Sequence, residues 1–214
     1  MCITDATYMM GIEESIERGE SRVTISILSL GRTTMIRVAF IGQQRSGKDT
    51  AAGMFDVWIG KQRPDIYADK YAYHYSFAQP IKDLCEASYG MHTREDMQGI
   101  GAHLRQYDKA FFVRILERKI IEDNPQFAVI TDVRYPNEVA AVTKLGFHLL
   151  GIDAPDEERW IRSGEAAENW EEYELHESEV NARASLLNAP SIVKNHGTKE
   201  EFKDLLEAYF EEIQ

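Results

Sequence analysis

The sequence predicts an α/β domain of P-loop type, a mostly parallel sheet flanked by helices with a small lid, and three observations carry that prediction. An apolar run from Ile36 to Ile41 breaks at Gly42 and passes through a polar loop into the helix-like stretch Ala51 to Trp58. Further short apolar runs alternate with helical periodicity along the chain, the pattern of parallel strands joined by crossover helices. One of those runs, Phe127 to Asp132, ends in a carboxylate.

The loop between the first strand and the first helix is the most informative stretch. Gly42 through Lys48 fits G-x-x-x-x-G-K, in the strand, loop, helix setting that a phosphate-binding loop requires. Backbone N–H groups of such a loop face inward and the next helix presents its positive end, so a polyphosphate is held mainly by main chain. Lys48 then reaches the β- and γ-phosphates, with Arg45, Ser46 and Gly47 in the same loop. The next position normally carries Ser or Thr to hold Mg²⁺; here it is Asp49, with Thr50 behind it, and either side chain suits the ion. The plain alternative, a fortuitous glycine turn before a helix, does not explain why both flanks agree with the motif.

Composition narrows the setting. With 214 residues and 43% hydrophobic content, the chain is long enough for one sizeable core. A net charge of −12 argues against a surface that wraps DNA or RNA, because nonspecific affinity for those polymers comes from phosphate neutralisation by Lys and Arg. An anionic small substrate still fits a local basic cleft. Cys2 and Cys85 are too few for a disulfide framework and lack metal-ligand spacing, which fits a reducing cytoplasm. No apolar run approaches the ~20 residues that span a bilayer, so no membrane partner is expected.

Residues 1–34 read as an N-terminal extension, and residues 35–214 as the phosphate-loop domain. The opening Met1 to Asp5 lacks the basic start and apolar run of a signal peptide. Arg22 to Leu28 alternates like a strand, either added to a sheet edge or, as adopted here, part of the extension. Met35 directly precedes Ile36, so a shorter product starting there keeps every feature used below.

After the first helix, Tyr71 to Phe77 reads as a second strand, followed by a helix with Pro80 in its first turn, where the missing N–H costs nothing. Lys82 then lies near that helix's start, at the sheet edge where ligands collect in open parallel sheets, unless it is simply a solvated lysine. Thr93 to Asp108 is polar and glycine-interrupted; its Arg94, Arg105 and Asp108 lie in a segment able to form a substrate pocket, within an expected acceptor-binding insertion of about residues 78–108. Phe111 to Ile121 is an amphipathic core helix with Phe112, Ile115, Leu116 and Ile120 on one face. An apolar strand ending in a carboxylate is what a P-loop protein places beside its Mg²⁺, which makes Asp132 a candidate. Arg134 points into the same cleft, with a structural ion pair to Glu138 as the alternative.

A helix from Glu138 to Leu145 closed by Gly146 precedes a strand from Phe147 to Asp153. The acidic run from Asp156 to Glu179 has the composition of a solvated helical face, yet its position suits a lid over about residues 155–180, with Arg159 and Arg162 closing on the phosphates. Pro190 to Asn195 is a last strand, and Thr198 caps a helix from Lys199 to Ile213 with Phe202, Leu205, Leu206, Tyr209 and Phe210 on one face. The histidines show no paired ligand spacing.

Taken together, Gly42 to Thr50, Pro80 to Asp83, Met97 to Gly101, Thr131 to Arg134 with Asn137 and Glu138, and His176 to Glu179 resemble the bacteriophage-type deoxynucleoside monophosphate kinases. The resemblance runs from about Met35 to the C-terminus. It implies transfer of the ATP γ-phosphoryl group to a deoxynucleoside 5′-monophosphate, with Mg²⁺ as cofactor, in the cytoplasm. Lys48, Asp132 and Arg134 are then catalytic, and Asp49, Thr50 and Asp132 are near the metal. Lys82, Arg94, Gln98, Arg105, Asp108, Arg134 and Glu138 form the acceptor side, and Asn195 lies where such kinases hold the adenine. A homodimer is compatible with these features. Two other readings share the loop: a P-loop kinase for another small metabolite, of dephospho-coenzyme A or ribonucleotide type, and a nucleotide-dependent switch that passes phosphate only to water.

Overall fold

In the computed structural model of the chain, residues 9–17, 20–28, 35–62, 72–90, 93–164 and 170–214 are described, with backbone alone for 9–17, 20–28, 94 and 171–173. The chain divides into two units, Met1–Met35 and Ile36–Gln214. In the first, β1 (Met9–Glu17) and β2 (Glu20–Leu28) pair antiparallel as a two-stranded sheet of their own, from Met9 opposite Leu28 to Glu17 opposite Glu20. The strand expected over Arg22 to Leu28 therefore exists, and its partner is a segment that the sequence reading passed over. The expected signal-free opening, Met1 to Asp5, lies outside the described residues.

The second unit is built on β3 (Ile36–Ile41), β4 (Tyr73–Tyr75), β5 (Phe127–Val133), β6 (His148–Asp153) and β7 (Ser191–Lys194), all parallel in the order β4-β5-β3-β6-β7. Strands buried on both faces read as continuous apolar runs, and β3 does so. Alternate residues of the central strands then serve two cores. Val38, Phe40, Val129, Leu150 and Ile152 face α1 (Lys48–Gln62) and the last helix, while Ala39, Ile41, Ala128 and Ile130 pack in a cluster on the opposite face. β4 and β5 precede β6 and β7 in the chain but lie on the other side of β3. The loop after β3 thus stands where the chain's direction across the sheet reverses, the place where open α/β sheets bind ligands.

The helices follow the expected positions with instructive differences. In α2 (Gln79–Tyr89), Pro80 occupies the first turn as anticipated, and the strand before it is shorter than Tyr71 to Phe77, with Tyr71 outside the described residues. The polar stretch after it is a helix, α3 (Arg94–Tyr107), in spite of Gly99 and Gly101. Each mid-helix glycine costs about 1 kcal/mol against alanine. A capping box offsets this: Thr93 Oγ1 accepts the Asp96 N–H at 3.1 Å while Asp96 Oδ2 accepts the Thr93 N–H at 3.3 Å. Met97, Ile100 and Leu104 pack on the core, and a Cβ at Gly101 would come within 3.1 Å of Ile81 Cδ1, so the glycine lets α3 lie close on α2.

In α4 (Phe111–Asp123) the buried residues are Phe112, Val113, Leu116 and Ile120: three of the four expected positions hold, while Ile115 is exposed and Val113 takes its place in the core. β5 runs one residue beyond Asp132, and α5 (Pro136–Lys144) starts earlier than Glu138. The acidic region forms α6 (Asp156–Ser163), α7 (Trp170–Leu175) and α8 (Glu177–Leu187), with 165–169 outside the described residues. In α9 (Lys199–Glu212), capped by Thr198, Phe202, Leu206 and Phe210 are buried and Leu205 is exposed. None of the helices among the described residues is long and apolar enough to cross a membrane.

One aromatic cluster joins the helices of the first face. The fully buried Phe210 ring lies 5.1 Å from Phe55 and 5.5 Å from Trp58, centroid to centroid. Phe210→Ala is expected to destabilise the domain by about 3–5 kcal/mol, read by urea unfolding followed through tryptophan emission. A loss below about 1 kcal/mol would mean that α9 is not packed on α1 as described.

Candidate active site

The turn from β3 into α1 is held from several sides. Gly47 has φ +107°, and a Cβ there would stand 2.3 Å from Asn195 Nδ2; Arg45 is also left-handed at φ 61°. Gly42 passes so close to β6 that a Cβ would meet the Ile152 carbonyl oxygen at 2.5 Å. The requirement for glycine at both ends of the motif is therefore steric. Asn195, expected near an adenine, is buried and donates from Nδ2 to the Ser46 carbonyl at 2.7 Å, so it buttresses the loop from behind.

In front of the loop lies a cavity of about 700 Å³. Lys48, Asp49 and Thr50 line one wall, and Lys82, Gln98 and Arg105 another. Asp132 and Arg134, at the end of β5, and Ser178 complete it. The walls carry Arg45, Lys48, Lys82, Arg105, Arg134 and Arg162 against only Asp49 and Asp132, although the chain as a whole has a net charge of −12. A cationic cleft in an acidic protein concentrates anions where the surface repels them.

Each wall residue has a structural reason for its place. Asp132 accepts from Ser76 Oγ at 2.6 Å and from the N–H groups of Phe77 and Ala78 at 3.0 and 2.9 Å, which ties the β4–α2 turn to β5. Arg105 donates to Glu138 Oε1 at 3.2 Å and lies between the rings of Phe112 and Tyr135, 4.6 and 4.2 Å from their centroids. The buried Glu138 also accepts the N–H groups of Arg134 and Tyr135 at 2.9 and 3.1 Å, so it supports two arginines from beneath and is not itself a cavity residue. Burial raises its pKa, and Arg105 and the two amides only partly offset this.

Some expected positions lie elsewhere. Asp108 is away from the cavity walls: its Oδ1 accepts the Ala110 N–H at 3.0 Å and its carboxylate pairs with Arg114, which fixes the start of α4. The Arg94 side chain falls outside the described residues. Arg159 also stays out of the cavity. It is buried and chelates Glu174 through two bonds of 2.9 and 2.8 Å, pairs with Asp156, and donates to the Gln44 carbonyl at 3.2 Å. Glu174 in turn accepts from Gln43 Nε2 at 2.9 Å, so the acidic segment is latched to the loop. Arg162 does reach the cavity, donating to the carbonyls of Arg45 and Asn195 at 3.3 and 3.1 Å.

Sequence reasoning assigned no role to Glu174, Ser178 or Glu179. Glu179 pairs with Arg134 Nη1 and accepts the Gln44 N–H at 2.9 Å. Burial disfavours both charges, yet each holds the other: Glu179 keeps the Arg134 pKa above its ordinary value, and Arg134 with the Gln44 amide keeps Glu179 below its own. The sequence signals were the His176 to Glu179 block for Ser178 and Glu179, which carried no chemistry by itself, and for Glu174 only its place in the acidic run.

Asp49 and Thr50, both exposed at the start of α1 and both on the cavity wall, offer the hard oxygen donors that Mg²⁺ takes alongside water, and so fit that ion. Lys48 is buried, with Nζ donating to the Gln43 carbonyl at 2.6 Å. Burial, then Arg134, lower its pKa to about 7, against the opposing pull of Glu179, Asp49 and Asp132. The unfolded chain accordingly binds more protons between pH about 7 and 10.5, so this group's contribution makes stability rise with pH across that window. A polyphosphate beside Lys48 restores its charge. ATP binding at pH 8 is therefore expected to take up nearly one proton, seen as a dependence of calorimetric binding heat on buffer ionisation enthalpy. Lys48→Met should abolish the uptake; binding with no uptake in the unmodified protein would mean that Lys48 is already charged before the nucleotide arrives or that it lies away from the phosphates.

No protein-family model and no curated protein sequence matches the chain. Solved structures do. TT1252 from Thermus thermophilus superposes with a TM-score of 0.54 at 17% identity, over 84% of this chain and 98% of that one. Shikimate kinase from Acinetobacter baumannii, solved in complex with shikimate, gives a TM-score of 0.54 at 12% identity, over 85% of this chain and 94% of that one. At such identities the likeness is one of architecture, and the chain has the α/β fold of P-loop kinases.

Proposed function

We propose that this protein is an ATP-dependent kinase that converts deoxynucleoside 5′-monophosphates to diphosphates. The observation that carries the proposal is the cationic cavity, in which the phosphate loop with Lys48 shares one space with Lys82, Arg105 and Arg134 from three other elements. Two phosphate-bearing ligands that must meet end to end need such a space. The resemblance of Gly42 to Thr50, Thr131 to Arg134 and His176 to Glu179 to the bacteriophage-type kinases supplies the choice of acceptor.

In this reading the loop from Arg45 to Thr50 holds the ATP phosphates through main-chain N–H groups, and Lys48 and Arg162 add charge. Lys82, Arg105 and Arg134 take the acceptor's phosphate, with Gln98 and Met97 on the wall where its nucleoside would lie. An oxygen of the acceptor phosphate attacks the γ-phosphorus in line. The bond from that phosphorus to the β–γ bridging oxygen breaks, and ADP leaves with the electron pair. The transition state is loose, so the protein's task is alignment and charge neutralisation, and no side-chain nucleophile is required. Mg²⁺, held by Asp49 or Thr50, would neutralise charge on the β- and γ-phosphates. Asp132 contributes by fixing the turn that carries Ser76, Phe77 and Ala78 on the cavity wall.

A second reading keeps the kinase chemistry and changes the acceptor. The fold likeness to a kinase solved with shikimate favours it, because that acceptor is no nucleotide. A panel of deoxynucleoside and ribonucleoside monophosphates, dephospho-coenzyme A and shikimate, assayed with Mg²⁺-ATP, separates the two. Phosphoryl transfer to at least one deoxynucleoside monophosphate is expected. Turnover only of another acceptor favours the second reading, and ADP formation indifferent to every acceptor would identify a switch ATPase. Lys48→Ala should lower kcat at least about 100-fold with the fold intact. Arg134→Ala should raise the acceptor's KM or lower kcat while leaving ATP affinity unchanged; an unaltered acceptor profile would reduce Arg134 to a structural residue.

A further inference from the structure

Glu179 is a buried carboxylate that the proposed reaction leaves without a part. It has no exposed surface and divides its oxygens between two elements, Oε2 accepting the phosphate-loop N–H of Gln44 at 2.9 Å and Oε1 pairing with Arg134 Nη1. The same Nη1 donates to Ser178 Oγ at 3.2 Å. The backbone of Arg134 is clamped as well: its N–H donates to Glu138 Oε2 at 2.9 Å, and its carbonyl accepts from Ser185 Oγ at 2.9 Å. Ser178 and Ser185 are two helical turns apart, so one face of α8 grips both the side chain and the backbone of Arg134.

Such an arrangement exceeds what stability alone asks for. A buried ion pair returns little net stabilisation after desolvation, and apolar residues of similar volume often do as well. What the pair does supply is direction. Arg134 meets the cavity while its Nη1 is held back by α8, and the carboxylate that holds it is bonded to the loop that carries Lys48.

We propose that Glu179 is a positioning residue, whose carboxylate ties the phosphate loop to Arg134 and so fixes the guanidinium relative to the transferring phosphoryl group. The inference rests on the kinase reading above. It requires a carboxylate, since each partner is a donor and each needs an acceptor. Glutamine presents one acceptor and one NH₂ group; whichever way its amide turns, a donor faces either the Gln44 N–H or the Arg134 guanidinium.

The test compares the full-length protein with Glu179→Gln, Glu179→Asp, Arg134→Ala and the double variant Glu179→Gln with Arg134→Ala, using ATP and the best acceptor of the panel. Glu179→Gln is expected to lower kcat by about 10- to 100-fold while the KM for ATP stays within about threefold. The double variant should be no slower than Arg134→Ala by more than about threefold, because both substitutions remove one interaction. Glu179→Asp keeps the charge but is one methylene shorter, and should show a smaller loss confined to kcat.

A kcat within about threefold of the unmodified protein, additive effects in the double variant, or an ATP KM rising in step with the loss of kcat each overturns the proposal. Failure of both Glu179 variants to fold overturns it too, since the residue is then structural. If the unmodified protein transfers phosphate to no small acceptor, the kinase reading falls and this inference with it. An active protein with an equally active Glu179→Gln variant removes only the positioning role.

Discussion

A buried ammonium at the head of α1 sets the terms for the residues around it. Lys48 has almost no solvent, and its hydrogen bond among the described residues goes to a carbonyl of its own loop. Holding that charge without a carboxylate in direct contact is costly, which is why its pKa falls to about 7. Arg134 adds to the burden by repulsion. The nearby carboxylates Glu179, Asp49 and Asp132 relieve it only in part. The site is thus short of negative charge in the one place where a polyphosphate brings it.

Two polar networks keep that unfavourable arrangement from relaxing. Glu179 spans the Gln44 amide and Arg134, and Glu174 spans the Gln43 side chain and Arg159, whose guanidinium continues to the Gln44 carbonyl. Successive loop residues are therefore held by carboxylates from α7 and α8. Asn195 holds the far side at Ser46, and the absence of a side chain at Gly42 and Gly47 lets β6 and Asn195 close in. Local strain at the left-handed Arg45 persists because the surroundings over-determine it, whereas Gly47 takes its positive φ without cost.

Much of this was legible in the sequence, for reasons that differ from residue to residue. The strands β3, β5 and β6 announced themselves as apolar runs because a parallel sheet is buried on both faces. The phosphate loop was legible because its chemistry is main-chain geometry, and geometry of that kind demands glycine at set positions. The helix α3 was not, since Gly99 and Gly101 argue locally against helix, and only a capping box and the approach of α2 outvote them. The stripe on α4 held at Phe112, Leu116 and Ile120 and missed at one position for a related reason, as the choice between Val113 and Ile115 is made by the neighbouring elements, which no local pattern contains. The acidic segment was misleading in another way. Composition describes Glu174 and Glu179 as solvent-facing, whereas each is matched to an arginine far away in the chain, and pairing across more than a dozen positions leaves no local trace.

The division of the cavity into its two halves has a consequence for specificity. In the proposed reading, the half formed by the β3–α1 loop would recognise features common to every nucleoside triphosphate, namely phosphate oxygens, through backbone groups and Lys48. The cations at the end of β5 and on α2 and α3 would, in the same reading, also answer to phosphate. Neither set distinguishes one base or sugar from another. Discrimination must then come from the uncharged surface between them, where Phe77, Ile81, Met97 and Tyr135 offer apolar contact and Gln98 offers an amide able both to donate and to accept. Most of that surface belongs to α2 and α3, helices that pack on the sheet's second core without taking part in the phosphate loop. Under the proposed function, changes there would retune the acceptor while the desolvated lysine, its loop and the carboxylates that brace it stay as they are.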